Sequence, residues 1–480
     1  MVTQLHVAAA LLGPEYENSG PVTITIENGH ISAIAKAATP DGPARLAMPS
    51  LADAHNHARP LPPTSFGCGG KPLEQWLPQL AVMPPVDAYT ATVASLARSV
   101  RGGATSVMIH LTRAMGQMSL PDEAREIARA AADVGISIGF AIPLRDRNPL
   151  IYGDHDVLLK GLAPEVSQLV RSTWLKPLPP LIEQLELVDQ VASALADQPH
   201  VDVQYGPTGV QWCSDEMLGA IADCSARTGR RIHMHLLETQ PQRQWLDRTY
   251  PQGVVTFLEG IGFLSPRLTL AHCVWARGPE LVKIAASGSR IAVNNSSNLH
   301  LYSGRAPLAD MQANGVAVAM GLDGCALDED DDGLRELRLF HLLGRRPGYS
   351  GNQGITHLAA LRAACRTGRA ALGLQDGGVL DVGMPADLLI LDLDGLDRDT
   401  LLPVPARDLF FARATAAHVI EVWASGRQVV REGHVLGIDL DAAEASLRAH
   451  YRAGLPTTEP LRAVWQQIER AIGEHYQGCC

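Results

Sequence analysis

Asp53-Ala54-His55-Asn56-His57 places two imidazoles two residues apart at the close of a mostly apolar run, Leu46 to Ala52. In a β-strand, residues i and i+2 face the same side, so this pair is spaced to grip one metal ion. Taken alone, such a pair is as readily two core or surface histidines. Other residues able to do chemistry recur in comparable settings: His233 and His235 with Glu238 just beyond, His272, and Asp323 before Gly324. Neutral imidazoles and one carboxylate suit a divalent ion that keeps a position open for water. Such an ion makes water a nucleophile near neutral pH, and a nearby carboxylate can move the released proton. His233 and His235 share a strand face, so either could be the ligand. His272 alone reads as a core histidine, Asp323 as a turn residue and Glu238 as a solvated charge. Their joint recurrence at strand ends makes coincidence the weaker account.

The elements that must position them are short β-rich runs alternating with helical stretches. The runs are 46–53, 105–111, 136–144, 201–206, 231–237, 268–273, 290–294 and 316–322. Between them lie helices such as Asp122 to Val134, opened by Pro121 and closed by Gly135. This alternation predicts an α/β fold, a (β/α)8 TIM barrel, in preference to a doubly wound open sheet. The histidines and Asp323 then fall at the C-terminal strand ends, the rim that carries active sites in this fold. The stretch 145–200 exceeds one crossover and predicts extra helices over the barrel mouth, broken near Pro177, Pro179 and Pro180.

The two chain ends read differently. Residues 21–36 predict two strands about an Asn28-Gly29 turn; 379–393 and 418–434 repeat that style about Gly383 and Gly426. The expected organisation is a small β-sandwich domain from 1–45 and 375–440, a barrel over 46–374, and closing helices over 441–480. The acidic run Asp328 to Asp332 reads as a solvated loop or helix start.

Composition sets outer bounds. The chain has 480 residues, 46% hydrophobic and 19% charged, with a net charge of -11. That charge argues against a nucleic-acid or anionic-membrane surface. No apolar run approaches the roughly 18 residues of a membrane span, and the N-terminus lacks the pattern of a signal peptide. The eight cysteines are scattered without a CxxC pair, which predicts reduced thiols, a cytoplasmic location and an unassigned Cys479-Cys480 tail.

With these residues in place, the chain resembles the amidohydrolase superfamily, in the branch of cytosine deaminase-like, guanine deaminase-like and triazine hydrolases. The resemblance rests on DAHNH at 53–57, HLLET at 235–239, AHCVW at 271–275, SNLHLYSGRAPL at 297–308, GLDG at 321–324 and GMPADLLILDLD at 383–394. It implies one divalent ion, zinc or alternatively iron, held by His55, His57, His235 and Asp323. It resolves the choice on the fifth strand, because the family pattern is a ligand histidine followed three residues later by glutamate. It implies that Glu238 shuttles protons, that His272 bonds the attacking water or developing oxyanion, and that Asp323 also accepts a proton. Two departures bear on the pocket. Val293-Asn294-Asn295-Ser296 stands where many relatives carry a histidine, and Leu322 stands where Thr or Ser usually precedes the aspartate. The lysine of two-metal relatives has no counterpart at Val203, Gln204 and Tyr205; Lys160 and Lys176 lie in the preceding insertion, so one metal is expected.

The expected reaction is deamination of an amino-substituted nitrogen heterocycle with release of ammonia. Alternatives are hydrolysis of a cyclic amide, loss of a different leaving group, or a non-catalytic scaffold on the same fold. Candidate substrate contacts are Gln75, Trp76, Arg145, Arg147 and Asn295; Trp76 could stack on a planar ring, and the arginines would favour an anionic substituent. The expected partner is a small molecule, with no nucleic acid and no membrane; a homo-oligomer is compatible with the sequence.

Overall fold

The structure, a computed structural model, describes residues 2–148, 150–324, 329–349 and 354–477. Eight parallel strands pair in chain order: β1 (Leu51–Asn56), β2 (Ala104–His110), β3 (Ser137–Leu144), β4 (Val201–Pro207), β5 (Ile232–Leu236), β6 (Leu268–His272), β7 (Arg290–Val293) and β8 (Ala317–Met320). The ring is drawn together between β8 and β1, where the N–H groups of Leu322 and Asp323 donate to the His55 carbonyl at 3.2 and 2.8 Å. The Asp53 carboxylate reinforces this seam, accepting from the Leu322 and His55 N–H groups and from the Asn56 amide. The fold is therefore the expected (β/α)8 barrel.

All eight apolar runs form barrel strands, with one change. The run 46–53 is two strands, not one. Arg45–Pro49 pairs antiparallel with Leu388–Asp392 in an outer sheet, and only Leu51–Asn56 enters the barrel. Pro49 lacks an N–H and suits a strand end. An unbroken apolar run carries no periodic mark of such a handover.

Both chain ends build additional sheets. One has three strands, Val2–Val7, Val22–Glu27 and His30–Lys36. Its hairpin turns through Asn28 (φ 51°) and Gly29 (φ 83°), the left-handed pair expected from Asn-Gly. The other has seven strands and includes Arg45–Pro49, Leu388–Asp392 and the hairpin Val419–Ala424/Arg427–Arg431. Val22, Ile24, Ile31, Leu388, Ile390 and Trp423 fill the space between the two sheets. Residues 379–387 supply no strand, contrary to the expectation for 379–393.

The insertion after β3 holds the helices His155–Leu159 and Pro164–Trp174 before the crossover helix Leu181–Ala194. The closing helices are Leu440–Gly454 and Glu459–Gln477. The last of these, the helix Leu73–Gln79 and the insertion form a second apolar core over the barrel mouth, in which Trp76, Ile151, Val170, Leu461, Trp465 and Ile468 pack. Within the acidic run, Asp332 caps the helix Gly333–Leu343, and Asp331 is buried near Arg98, not solvated as expected. Asp328 lies outside the described residues. No helix among the described residues is long and apolar enough to cross a membrane.

Candidate active site

The cluster is built from strand ends, and the backbone there is strained. Ala58, Leu237, His272, Cys273 and Asp323 all have positive φ, between 47° and 74°. Each such non-glycine residue costs on the order of 1–3 kcal/mol and persists only where its surroundings enforce it. This strain turns the strand ends so that side chains from β1, β5, β6 and the turn after β8 converge.

Backbone carbonyls fix the tautomers of two imidazoles. His57 Nδ1 donates to the His110 carbonyl and His235 Nδ1 donates to the Thr208 carbonyl, each at 2.7 Å. A carbonyl only accepts, so Nδ1 carries the proton and Nε2 keeps its lone pair. His55 Nδ1 shares a hydrogen bond with His233 Nε2 at 2.8 Å. The three Nε2 atoms face one another and the Asp323 carboxylate: His57 Nε2 lies 3.4 Å from His235 Nε2 and 3.0 Å from Asp323 Oδ1, and His55 Nε2 lies 3.4 Å from that oxygen. Of the two histidines on β5, His235 reaches the cluster and His233 sits behind His55.

These residues fit a divalent ion. His55 Nε2 and Asp323 Oδ1 are buried and without a hydrogen-bond partner, an expensive state unless something binds them. The ligand atoms of His55, His57 and His235 lie within 4.8 Å of one another, as do those of His55, His272 and Asp323. Burial pushes His55 down to about 3 and holds His235 well below its ordinary value, so both imidazoles are neutral as ligands must be. Burial opposes ionisation of Asp323, but His55 and His57 override it and hold the carboxyl well below its usual range.

Beside the cluster, Glu238 Oε2 lies 3.7 Å from His272 Nε2, and both side chains are buried. Burial pushes Glu238 up to about 7, helped by the Asp323 and Glu74 carboxyls and opposed by His272. His272 Nδ1 is 2.9 Å from Asn298 Oδ1, and Ser297 donates to Asp323 Oδ2. The Glu238 N–H donates to Gln242 Oε1, whose amide donates onward to Gln211. A group that exchanges its proton near neutrality thus stands next to a cluster shaped for a cation.

The expected substrate contacts are spread out. Gln75 donates to the Glu469 carbonyl on the last helix. Trp76 is 1% exposed, donates to the Cys68 carbonyl and lies under the Arg59 guanidinium. Arg145 lines the cavity at the barrel mouth, whereas Arg147 is exposed and its N–H donates to the Trp212 carbonyl. Asn295 is buried with both amide atoms unpartnered. Asn294, in the stretch that departs from the family pattern, brings its amide to 3.3 Å from His272 Nδ1. Sequence reasoning passed over His110, which ends β2 with its ring centroid 4.7 Å from that of His235. A histidine closing a barrel strand was the available signal. Asp53, in the opening motif, was likewise missed as the seam residue.

A (β/α)8 barrel that converges three imidazoles and a carboxylate at its C-terminal rim, with a second buried carboxyl alongside, has the architecture of a metal-assisted hydrolase. The sequence matches the Amidohydrolase family over residues 46–429, and the chain belongs to that family. It is 25% identical to the 5'-deoxyadenosine deaminase of Methanothermobacter thermautotrophicus over 451 residues, covering 88% of this chain and 93% of that enzyme. It is 31% identical to the 5'-deoxyadenosine deaminase of Methanosarcina barkeri over 239 residues, 50% of this chain and about half, 54%, of that one. Among solved structures, an adenosine deaminase from Xanthomonas campestris with bound zinc is similar in fold, with a TM-score of 0.75 at 22% identity, covering 95% of this chain and 98% of that one.

Proposed function

We propose that this chain is a metal-dependent aminohydrolase that replaces the exocyclic amino group of a nitrogen heterocycle with oxygen and releases ammonia. The observation that carries the reading is the placement of Glu238, a buried carboxyl 3.7 Å from His272 and beside the cluster, where burial raises it to about 7. His55, His57, His235 and Asp323 would hold the ion, with zinc the metal that best suits this donor set. When bound, that ion supplies Lewis acidity and lowers the pKa of water.

The chain's own groups handle the protons. Glu238 takes a proton from the attacking water and delivers it to the ring nitrogen, then passes a second to the departing amino group. His272, oriented by Asn298, bonds the oxygen that develops negative charge. Water and the amino heterocycle become the oxo heterocycle and ammonia. We assign the enzyme a small-molecule substrate and a cytoplasmic location, consistent with free thiols at Cys68, Cys213, Cys224, Cys273 and Cys365.

The test combines metal analysis of purified protein with an ammonia-release screen over aminated pyrimidines, purines, pterins and triazines. A stoichiometric divalent ion and ammonia from at least one ring are expected. Protein without such an ion would favour a scaffold. Turnover that releases a different leaving group would remove the deaminase reading.

A further inference from the structure

The barrel mouth carries a charge pattern that the chemistry at Glu238 does not use. A cavity of about 550 Å3 reaches the cluster at His57, a size suited to a small organic ligand. Its walls come from the loop after β1, the end of β2, the insertion after β3 and the two closing helices. Four lining side chains are cationic, Arg59, Arg113, Arg145 and Lys176, and among the described residues no aspartate or glutamate lines it. Such one-sided charge stands out in a chain with a net charge of -11.

The four cations are not equally available. Arg59 lies over the Trp76 ring, 4.8 Å from its centroid, and acts on the buried Asp331. Arg113, Arg145 and Lys176 join no ion pair among the described residues. Arg113 is held through its guanidinium and Arg145 through its backbone. The Arg113 guanidinium donates to the Met83 carbonyl at 2.7 Å, and its other N–H groups have no partner among the described residues. The Gln184 amide clamps the Arg145 main chain, accepting from its backbone N–H at 3.1 Å and donating to its backbone carbonyl at 2.9 Å, which fixes where that side chain leaves the chain and spends none of its guanidinium N–H groups. Burial pushes the Arg145 guanidinium below its usual value. An arginine that lines a cavity, partly desolvated and without a carboxylate, is completed by an anionic ligand that its planar fork can grip.

We propose that this antechamber is an anion subsite: the heterocycle bears a substituent ending in an anionic oxygen group, carboxylate or phosphate, gripped by Arg113 and Arg145 with Lys176 at the rim. The inference rests on the deaminase reading and names the substrate class within it. Neutral rings would occupy the catalytic end and leave the arginines unpaired.

Matched ligands test this: 5'-deoxyadenosine against adenosine 5'-carboxylate and adenosine 5'-monophosphate, and pterin against pterin-6-carboxylate. Ammonia release gives kcat/KM, and calorimetric binding to the metal-loaded protein gives Kd whether or not turnover occurs. At least one anionic member is expected to exceed its neutral partner about tenfold or more, with the advantage shrinking as salt is raised; the better acid identifies the group. In Arg113→Gln and Arg145→Gln that ratio should fall toward 1. In Arg171→Gln, which alters an exposed ion pair with Asp156, it should not. Equal or weaker binding of every acid, or a ratio unmoved by both cavity substitutions, would overturn the subsite. Absence of ammonia from every ring would instead overturn the deaminase reading, while the Kd ratio still reports on the anion.

Discussion

At the residue scale, the site depends on which atom of each side chain is already committed. The His57 and His235 Nδ1 atoms are tied to carbonyls, and Ser297 occupies one oxygen of Asp323. What remains unbonded points inward. Glu238 differs: burial, opposed by the neighbouring His272, raises its carboxyl to about 7 and keeps its proton exchangeable near neutrality. Glu238→Gln preserves size but cannot carry a proton. Its kcat should fall by about 10²–10⁴-fold, the usual weight of general acid–base catalysis, while metal content measured by elemental analysis stays unchanged. Retained turnover would sink the assigned role. The cluster itself was legible because its residue types are uncommon at strand ends and their spacing follows strand geometry. The second contacts were not. Thr208 and His110 act here through backbone carbonyls that any residue offers, so their types carry no signal of these bonds, and Asn298 acts through a side-chain amide whose partner 26 residues away has no local cue.

At the element scale, one short helix links the cluster to the outer barrel. Asn295–His300 carries Ser297 and Asn298 toward Asp323 and His272, while Ser296 gives its N–H and its hydroxyl to Glu336 on the helix Gly333–Leu343. Glu336 is 1% exposed; burial pushes its carboxyl up to about 7, only partly offset by the bonds from Ser296. A carboxyl raised in the folded state binds its proton more tightly there than in the unfolded chain. Its contribution is fully present below about 4.5 and is lost as pH climbs through about 7, a swing of roughly 3 kcal/mol. Glu336→Gln removes this titration. The stability difference between variant and parent, from urea unfolding, should therefore move in the variant's favour between pH 5 and pH 8. A difference that stays flat with pH would refute the assignment. Sequence periodicity located the barrel strands, but not the short helix Asn295–His300, the split of 46–53 or the loop at 379–387. The last two are apolar runs whose partners, Leu388–Asp392 and the sandwich core, lie more than 300 residues away or arrive through turns.

At the scale of the whole molecule, the barrel and the sandwich meet at a buried ion pair. Arg369 on Gly368–Ala371, just after the barrel, donates to Asp387 Oδ2 at 2.7 Å, with side chains 8% and 6% exposed. The other Asp387 oxygen accepts from the Ser425 N–H in the sandwich hairpin, and its carbonyl accepts from the Ser50 N–H at the entry to β1. One residue thus ties the strand that bears His55, and leads directly into His57, to the sheet built from the far end of the chain. A sandwich shared by both chain ends was readable from local strand patterns; this junction was not, because neither Arg369 nor Asp387 has a local cue to its partner. Removing one member leaves a buried charge uncompensated, which costs more than the intact pair contributes. Arg369→Met should lower unfolding stability by about 3–5 kcal/mol. Adding Asp387→Asn should recover part of that loss, because the stranded carboxylate is gone and the amide oxygen still accepts from Ser425. Denaturant unfolding of parent, single and double variants reads both steps. If the double variant were less stable than Arg369→Met by the full cost of an independent substitution, the two residues would not act as a pair, and the junction would owe its strength to the backbone bonds of Ser50 and Ser425 alone.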